Sequence, residues 1–175
     1  MNTRHADRIE TPVGTLLAVV DERGALIALD FDGALEEREL ECRWTPRGGA
    51  LRWEPARLVP VARALERYFA RELREFELEL APEGTPFQLC VWRELCRVPY
   101  GVTISYGELA RRIDSPRAVR AVGSANGSNP IPIVIPCHRV IGADGTLTGY
   151  GGGLEKKQAL LELEGVLPRQ SVIAM

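Results

Sequence analysis

Ser105-Tyr-Gly-Glu-Leu-Ala-Arg-Arg-Ile-Asp-Ser-Pro-Arg-Ala-Val-Arg-Ala-Val-Gly-Ser-Ala-Asn-Gly127 contains two helix starts in quick succession. Ser105 followed three residues later by Glu108 reads as a capping box and predicts a short helix through Ile113. Ser115-Pro116 reads as an N-cap with proline at the first helical position. It predicts a further helix carrying Ala118, Val119, Ala121, Val122 and Ala125 and stopping near Gly127. Two short helices joined by a two-residue turn predict a helix-turn-helix. A helix that reads the major groove displays long polar side chains. Here Ala118, Ala121, Gly123, Ser124 and Ala125 make the surface small, leaving Arg117 and Arg120 as its long polar groups. Such a helix either packs inside a core or enters a minor groove, where Arg120 could fill the gap left by a base turned out of the stack.

Downstream, Ile131-Pro-Ile-Val-Ile-Pro-Cys-His-Arg-Val140 sets a thiol beside an imidazole. Pro130, Pro132 and Pro136 disfavour a helix, so the run is expected to be extended. Neighbours on an extended chain point to opposite faces, so Cys137 and His138 would communicate through a water. Cys42, Cys90 and Cys96 read as inert. A helix from Leu154 to Glu164, closed by Gly165, puts Glu164 on the face of Leu160 and Leu161 and at the negative end of the helix dipole. A buried partner would resolve that conflict; Glu164 orienting His138 gives a thiol, imidazole and carboxylate relay.

Upstream, Thr85-Pro86-Phe87-Gln88 is another capping box and predicts a helix to about Arg97 with Phe87, Val91 and Leu95 buried. Ala81-Pro-Glu-Gly84 is the expected domain boundary, separating residues 1–84 from 85–175. In the first part, Thr15–Val20 and Ala25–Phe31 flank Asp21-Glu-Arg-Gly24 as a hairpin. Residues 32–55 read as loop with a short helix over 36–42. Apolar spacing after Pro55 predicts an amphipathic helix of about four turns, and Phe76–Leu80 alternates like a strand. The fold class is α+β, with a small antiparallel-sheet domain followed by a mostly helical one.

The net charge of −2 is uneven. Residues 1–85 hold 12 Lys/Arg against 17 Asp/Glu, whereas 86–175 hold 10 against 7, so an anionic partner belongs with the second part. No apolar run is long enough for a membrane span, and no secretory signal is visible at the start, which places the protein in the cytoplasm. Four cysteines without paired spacing and two histidines predict no metal site.

The run Arg120 to Val140, together with Tyr150-Gly-Gly-Gly-Leu154, Lys157 and Glu164, resembles the O6-alkylguanine-DNA alkyltransferases, over roughly residues 85–165 and more weakly through Thr11–Thr15. The resemblance implies a ribonuclease-H-like N-terminal domain and direct, single-use transfer of an alkyl group from guanine O6 to Cys137. It implies that His138 activates the thiol through a water, Glu164 orients His138 and Asn129 braces the turn. Tyr106 would help rotate the nucleotide and assist the departing base. Arg120 would be the finger in the stack, on the small helix surface of Arg117, Ala118, Ala121, Gly123 and Ser124. Backbone groups of Cys137 and Val140 would accept from the guanine amine, Tyr150 and Gly151 would line the base pocket, and Lys157 would hold its loop. Gly151 stands where serine is frequent, and the zinc ligands of some relatives are missing. The implied partner is double-stranded DNA carrying alkylated guanine, bound by a monomer without cofactor; O4-alkylthymine is a second candidate lesion, and cooperativity on DNA stays open. A lesion-binding relative without transfer, a helix-turn-helix regulator and a cysteine hydrolase are the competing readings. Cys137 argues against the first, and neither of the others accounts for Tyr106, Arg120 and Asn129 together.

Overall fold

A computed structural model describes residues 3–31, 36–45 and 49–168. The chain divides into two compact units: one runs to Gly84 and takes in Pro130–Pro132, the other holds Thr85–Asn129 and continues from Ile133.

The first unit is built on a four-stranded sheet in the order β3-β2-β1-β4, from β1 (Thr3–Ile9), β2 (Leu16–Val20), β3 (Leu26–Asp30) and β4 (Ala50–Trp53). The expected hairpin is β2 and β3, turned by Asp21, whose carboxylate accepts from the backbone of Arg23 and Ala25 at 2.9 Å. All of β2 is buried, so both of its faces are covered. Leu17 and Val19 join Leu40 of α1 (Glu37–Trp44) in one cluster. Helix α2 (Pro55–Phe69) packs on β1 and β2 and buries Leu58, Val61, Leu65 and Tyr68.

The sheet differs from the antiparallel expectation at one edge. Strands β1, β2 and β3 are antiparallel, but β4 runs parallel to β1, because α1 intervenes and carries the chain back to the starting end. Strand β4 fell in the segment read as loop, and β1 in a stretch for which no element was expected. In β1, Arg4 and His5 are buried yet paired, Arg4 with Glu83, and His5 Nδ1 lying 3.0 Å from Glu54. The expected strand over 76–80 reduces to one bridge, Leu80 beside Leu26. The loop readings at 32–35 and 46–48 lie outside the described residues.

The second unit is mostly helical. Helix α3 (Pro86–Leu95) starts at the predicted box: Thr85 Oγ1 accepts from Gln88 N at 3.3 Å and Gln88 Oε1 from Thr85 N at 2.9 Å. It buries Val91, Trp92 and Leu95, with Phe87 only half-buried. A short strand β5 (Ile104–Ser105) leads into α4 (Tyr106–Arg112). Ser105 caps α4 by accepting from Glu108 N at 3.1 Å, but the box is not reciprocal, since the Glu108 carboxylate receives Arg111 and Arg112 instead.

Helix α5 (Val119–Gly127) starts later than expected. Ser115-Pro116 opens a turn closed by Ala118 N on Ser115 O at 2.9 Å, because serine followed by proline suits the first two positions of a β-turn as well as a helix start. The link between the two helices is therefore longer than two residues. Helix α5 packs on α3 and α4, and Trp92 Nε1 donates to the Ala125 carbonyl at 2.8 Å. Strand β6 (Val140–Ile141) pairs in parallel with β5, Ile104 opposite Val140. The unit ends in α6 (Leu154–Leu163), capped by Gly165 at φ +78°.

Thr85→Ala is expected to lower stability by about 1 kcal/mol by removing the side-chain cap of α3, and Thr85→Ser to restore most of it. Denaturant unfolding of the three proteins checks this.

Candidate active site

Cys137, His138 and Arg139 form a single 3-10 turn, not the extended run expected there. Pro136 supplies the carbonyl that receives Arg139 N at 3.0 Å, and Cys137 N donates back to Ile135 O at 2.8 Å. Just upstream, Ile133 holds a positive φ of 74°, which is strained for a β-branched residue. Asn129 reaches the turn from the side, its Nδ2 donating to the Ile135 carbonyl at 2.8 Å.

His138 and Glu164 meet as anticipated, Nε2 to Oε1 at 2.8 Å, both side chains fully buried. The same carboxylate receives Arg139 twice, Nε on Oε2 at 3.0 Å and Nη2 on Oε1 at 2.9 Å, and Gly101 N on Oε2 at 3.1 Å. Arg139 also donates to the Val98 carbonyl at 2.6 Å and lies over the Tyr100 ring. Gly101 sits at φ +75°, and a Cβ there would meet the Glu164 carbonyl at 3.1 Å. Burial pushes the Glu164 carboxyl up, but the bonds from His138 and Arg139 and their charges outweigh it and hold it at about 2. Burial pulls His138 below its ordinary value against the opposing pull of Glu164. A neutral imidazole held by an ionised carboxylate keeps its proton on Nε2 and presents Nδ1 as an acceptor.

Cys137 is 4% exposed. Burial pushes its thiol up to about 11, opposed by Asn129 and by the charge of Lys157. Lys157 is fully buried and donates to the Val140 carbonyl at 2.6 Å and the Thr148 carbonyl at 2.7 Å, so it ties the loop before α6 to the strand that follows the thiol. Burial lowers its ammonium to about 8, against the pull of Cys137.

A cavity of about 490 Å³ is lined by Tyr106, Val119, Gly123, Gly127 and Thr148–Gly151. It brings together four of the expected residues, Tyr106, Gly123, Tyr150 and Gly151; Cys137 and Val140 are not on its wall. Thr148 Oγ1 lies 3.4 Å from the Tyr106 hydroxyl. Arg117, Arg120, Ala121 and Ser124 are exposed, and Ala118 and Gly123 are half-buried. The Cys137 carbonyl already accepts from Val140 N and from Asn126 Nδ2, and the Val140 carbonyl accepts from Lys157 Nζ. Asn126, Arg139, Val98 and Gly101 escaped the sequence reading as site residues. The only signal for the last two was the turn-forming Pro99-Tyr-Gly101.

Arg139→Met is expected to destabilise the protein by about 3–5 kcal/mol, because it strips a buried carboxylate of its main partner. Glu164 has a depressed folded pKa, so its contribution to stability is present above about 4.5 and is lost as the pH falls toward about 2. Urea unfolding across that range is expected to show this acid loss in the natural protein and much less of it in Glu164→Gln.

The sequence matches the family model for the 6-O-methylguanine DNA methyltransferase DNA-binding domain over residues 86–166 and that for its ribonuclease-like domain over residues 7–82. A methylated-DNA–protein-cysteine methyltransferase of Methanosarcina barkeri is 49% identical over 158 residues, 90% of this chain and 95% of that protein. The crystal structure of Mycobacterium tuberculosis O6-methylguanine methyltransferase aligns with a TM-score of 0.80 at 43% identity, over 97% of each chain. That of Mycobacterium tuberculosis OGT in complex with DNA aligns at 0.77 and 44% identity, over 93% of this chain and 92% of that one. With both family models matched in order along the same chain, the protein belongs to the 6-O-methylguanine DNA methyltransferase family.

Proposed function

We infer that the protein repairs DNA directly, transferring the alkyl group of O6-alkylguanine in duplex DNA to Cys137, once per molecule and without cofactor. The observation that carries this reading is a buried thiol next to a histidine whose far nitrogen is held by an ionised carboxylate, in the unit that bears the helix-turn-helix. The half of the chain with the excess of positive charge, residues 86–175, is the half that contains this unit.

The helices α4 and α5 form the duplex-binding surface. The small residues Ala118, Ala121, Gly123 and Ser124 let α5 approach a minor groove closely, Arg117 meets phosphate, and Arg120 takes the place of the extruded nucleotide. The base enters the cavity between Tyr106 and Tyr150–Gly151, where glycine in place of serine leaves room on one wall. Its amine reaches the Val140 carbonyl beyond the cavity wall, and Lys157 keeps that carbonyl and the 148–150 loop in place. The domain division at Gly84–Thr85 separates this machinery from the N-terminal unit.

Chemistry begins with ionisation of a thiol that burial disfavours. The proton passes through a water to His138 Nδ1, forming an imidazolium that Glu164 stabilises. The thiolate attacks the alkyl carbon in line, the carbon–O6 bond breaks, and Tyr106 hydrogen-bonds the departing guanine. The product is a thioether, which water does not cleave, so the protein is consumed.

Incubation with duplex DNA containing O6-methylguanine, followed by mass spectrometry, is expected to show one methyl on the peptide containing Cys137 and no more than one per chain. Removal of the methyl group by Cys137→Ala would sink the reading, and sequence-specific binding of unmodified duplex without transfer would favour a regulator instead. Arg120→Ala is expected to slow transfer from duplex about tenfold or more while sparing the free modified base, since only the duplex demands extrusion of the nucleotide. Single-turnover rates on the two substrates separate the effects.

A further inference from the structure

Asn126, on α5, is 3% exposed, and no step above uses its side chain. Nδ2 donates to the Cys137 carbonyl at 3.4 Å, which fixes the amide's orientation because only its nitrogen can donate. That leaves Oδ1 buried without a hydrogen-bond partner in the protein, and His138 Nδ1 is in the same condition. An unmet buried acceptor loses its hydration and gains nothing in exchange. Leucine would fill a similar volume without that cost, so an amide here calls for a partner. One unmet atom is on a side chain bonded to the Cys137 backbone, the other on the residue that follows Cys137.

We propose that Asn126 Oδ1 and His138 Nδ1 together hold the relay water and orient it toward the Cys137 thiol. The proposal rests on the reading of Cys137 as the alkyl acceptor. Both atoms are acceptors: an amide oxygen carries no proton, and the imidazole proton sits on Nε2 against Glu164. A water between two acceptors commits both hydrogens to them, so only its lone pairs face sulfur. It can then take the thiol proton and cannot block it. The S–H bond breaks with its electron pair left on sulfur, and the proton joins the water oxygen. The water's hydrogen on the other side moves to Nδ1, ending as neutral water beside an imidazolium paired with Glu164. Nothing is oxidised or reduced. Asn126 is thus a positioning residue that acts through the water.

A high-resolution crystal structure of the full chain is expected to show one water within hydrogen-bonding distance of both atoms; two separate waters, or none, would overturn the proposal. In solution, thiolate absorbance titrated against Cys137→Ser as the blank is expected to move the Cys137 midpoint up by about one pH unit in Asn126→Leu, a tenfold loss of thiolate at a given pH. Affinity for duplex DNA should hold. Asn126→Ser, whose hydroxyl cannot span the gap, is expected to shift the midpoint in the same direction if the leucine protein does not fold. An unchanged midpoint in a folded variant counts against the bridge. A shifted midpoint in a protein whose parent gains no methyl from alkylated DNA would support the bridge while overturning the proposed function.

Discussion

The second unit is organised around one carboxylate. Glu164 sits where its helix end and its burial both oppose a negative charge, yet it is held ionised by donors from two other parts of the chain. His138 and Arg139 reach it from the turn that carries the thiol, and Gly101 from the loop after α3. Tyr100 adds a bond to the carbonyl of Leu163 at 3.1 Å. Three segments far apart in sequence are therefore pinned at one point, and each depends on the others for its charge balance. Arg139 offsets the carboxylate and frees His138 to stay neutral.

Helices α4 and α5 are tied to this centre through backbone. The parallel pair β5–β6 sets Ser105, the cap of α4, opposite Ile141, so the start of the helix-turn-helix and the chain just past the thiol share a ladder. On the other side, α5 reaches the Cys137 carbonyl through Asn126. Both helices and the turn that bears the thiol thus belong to one compact unit.

How much was visible beforehand follows from the range of the interactions. The caps at Thr85 and Ser105 and the glycine after Glu164 are local signals, and each placed its helix end well. The pairing of Glu164 with His138 was legible because an apolar face and an unfavourable dipole left the carboxylate needing a partner. Strand β1 was not, since Arg4 and His5 look like surface residues until Glu83 and Glu54 arrive from distant segments. Arg139 failed for the same reason, its partners lying at Val98 and Glu164. Ser115-Pro116 was ambiguous in itself, fitting a cap or a turn equally. The sheet's parallel edge depended on a crossover that spacing alone does not reveal.

The distribution of thiols has a bearing on lifetime. Cys42, Cys90 and Cys96 are exposed, while Cys137 is enclosed and held well above neutrality by burial. A reagent consumed by its first reaction is spoiled by any wrong one, and the cell's small electrophiles arrive through water. They meet three expendable sulfurs at the surface, whereas the fourth is shielded and largely protonated. Enclosure, a handicap for reactivity, acts here as a safety catch.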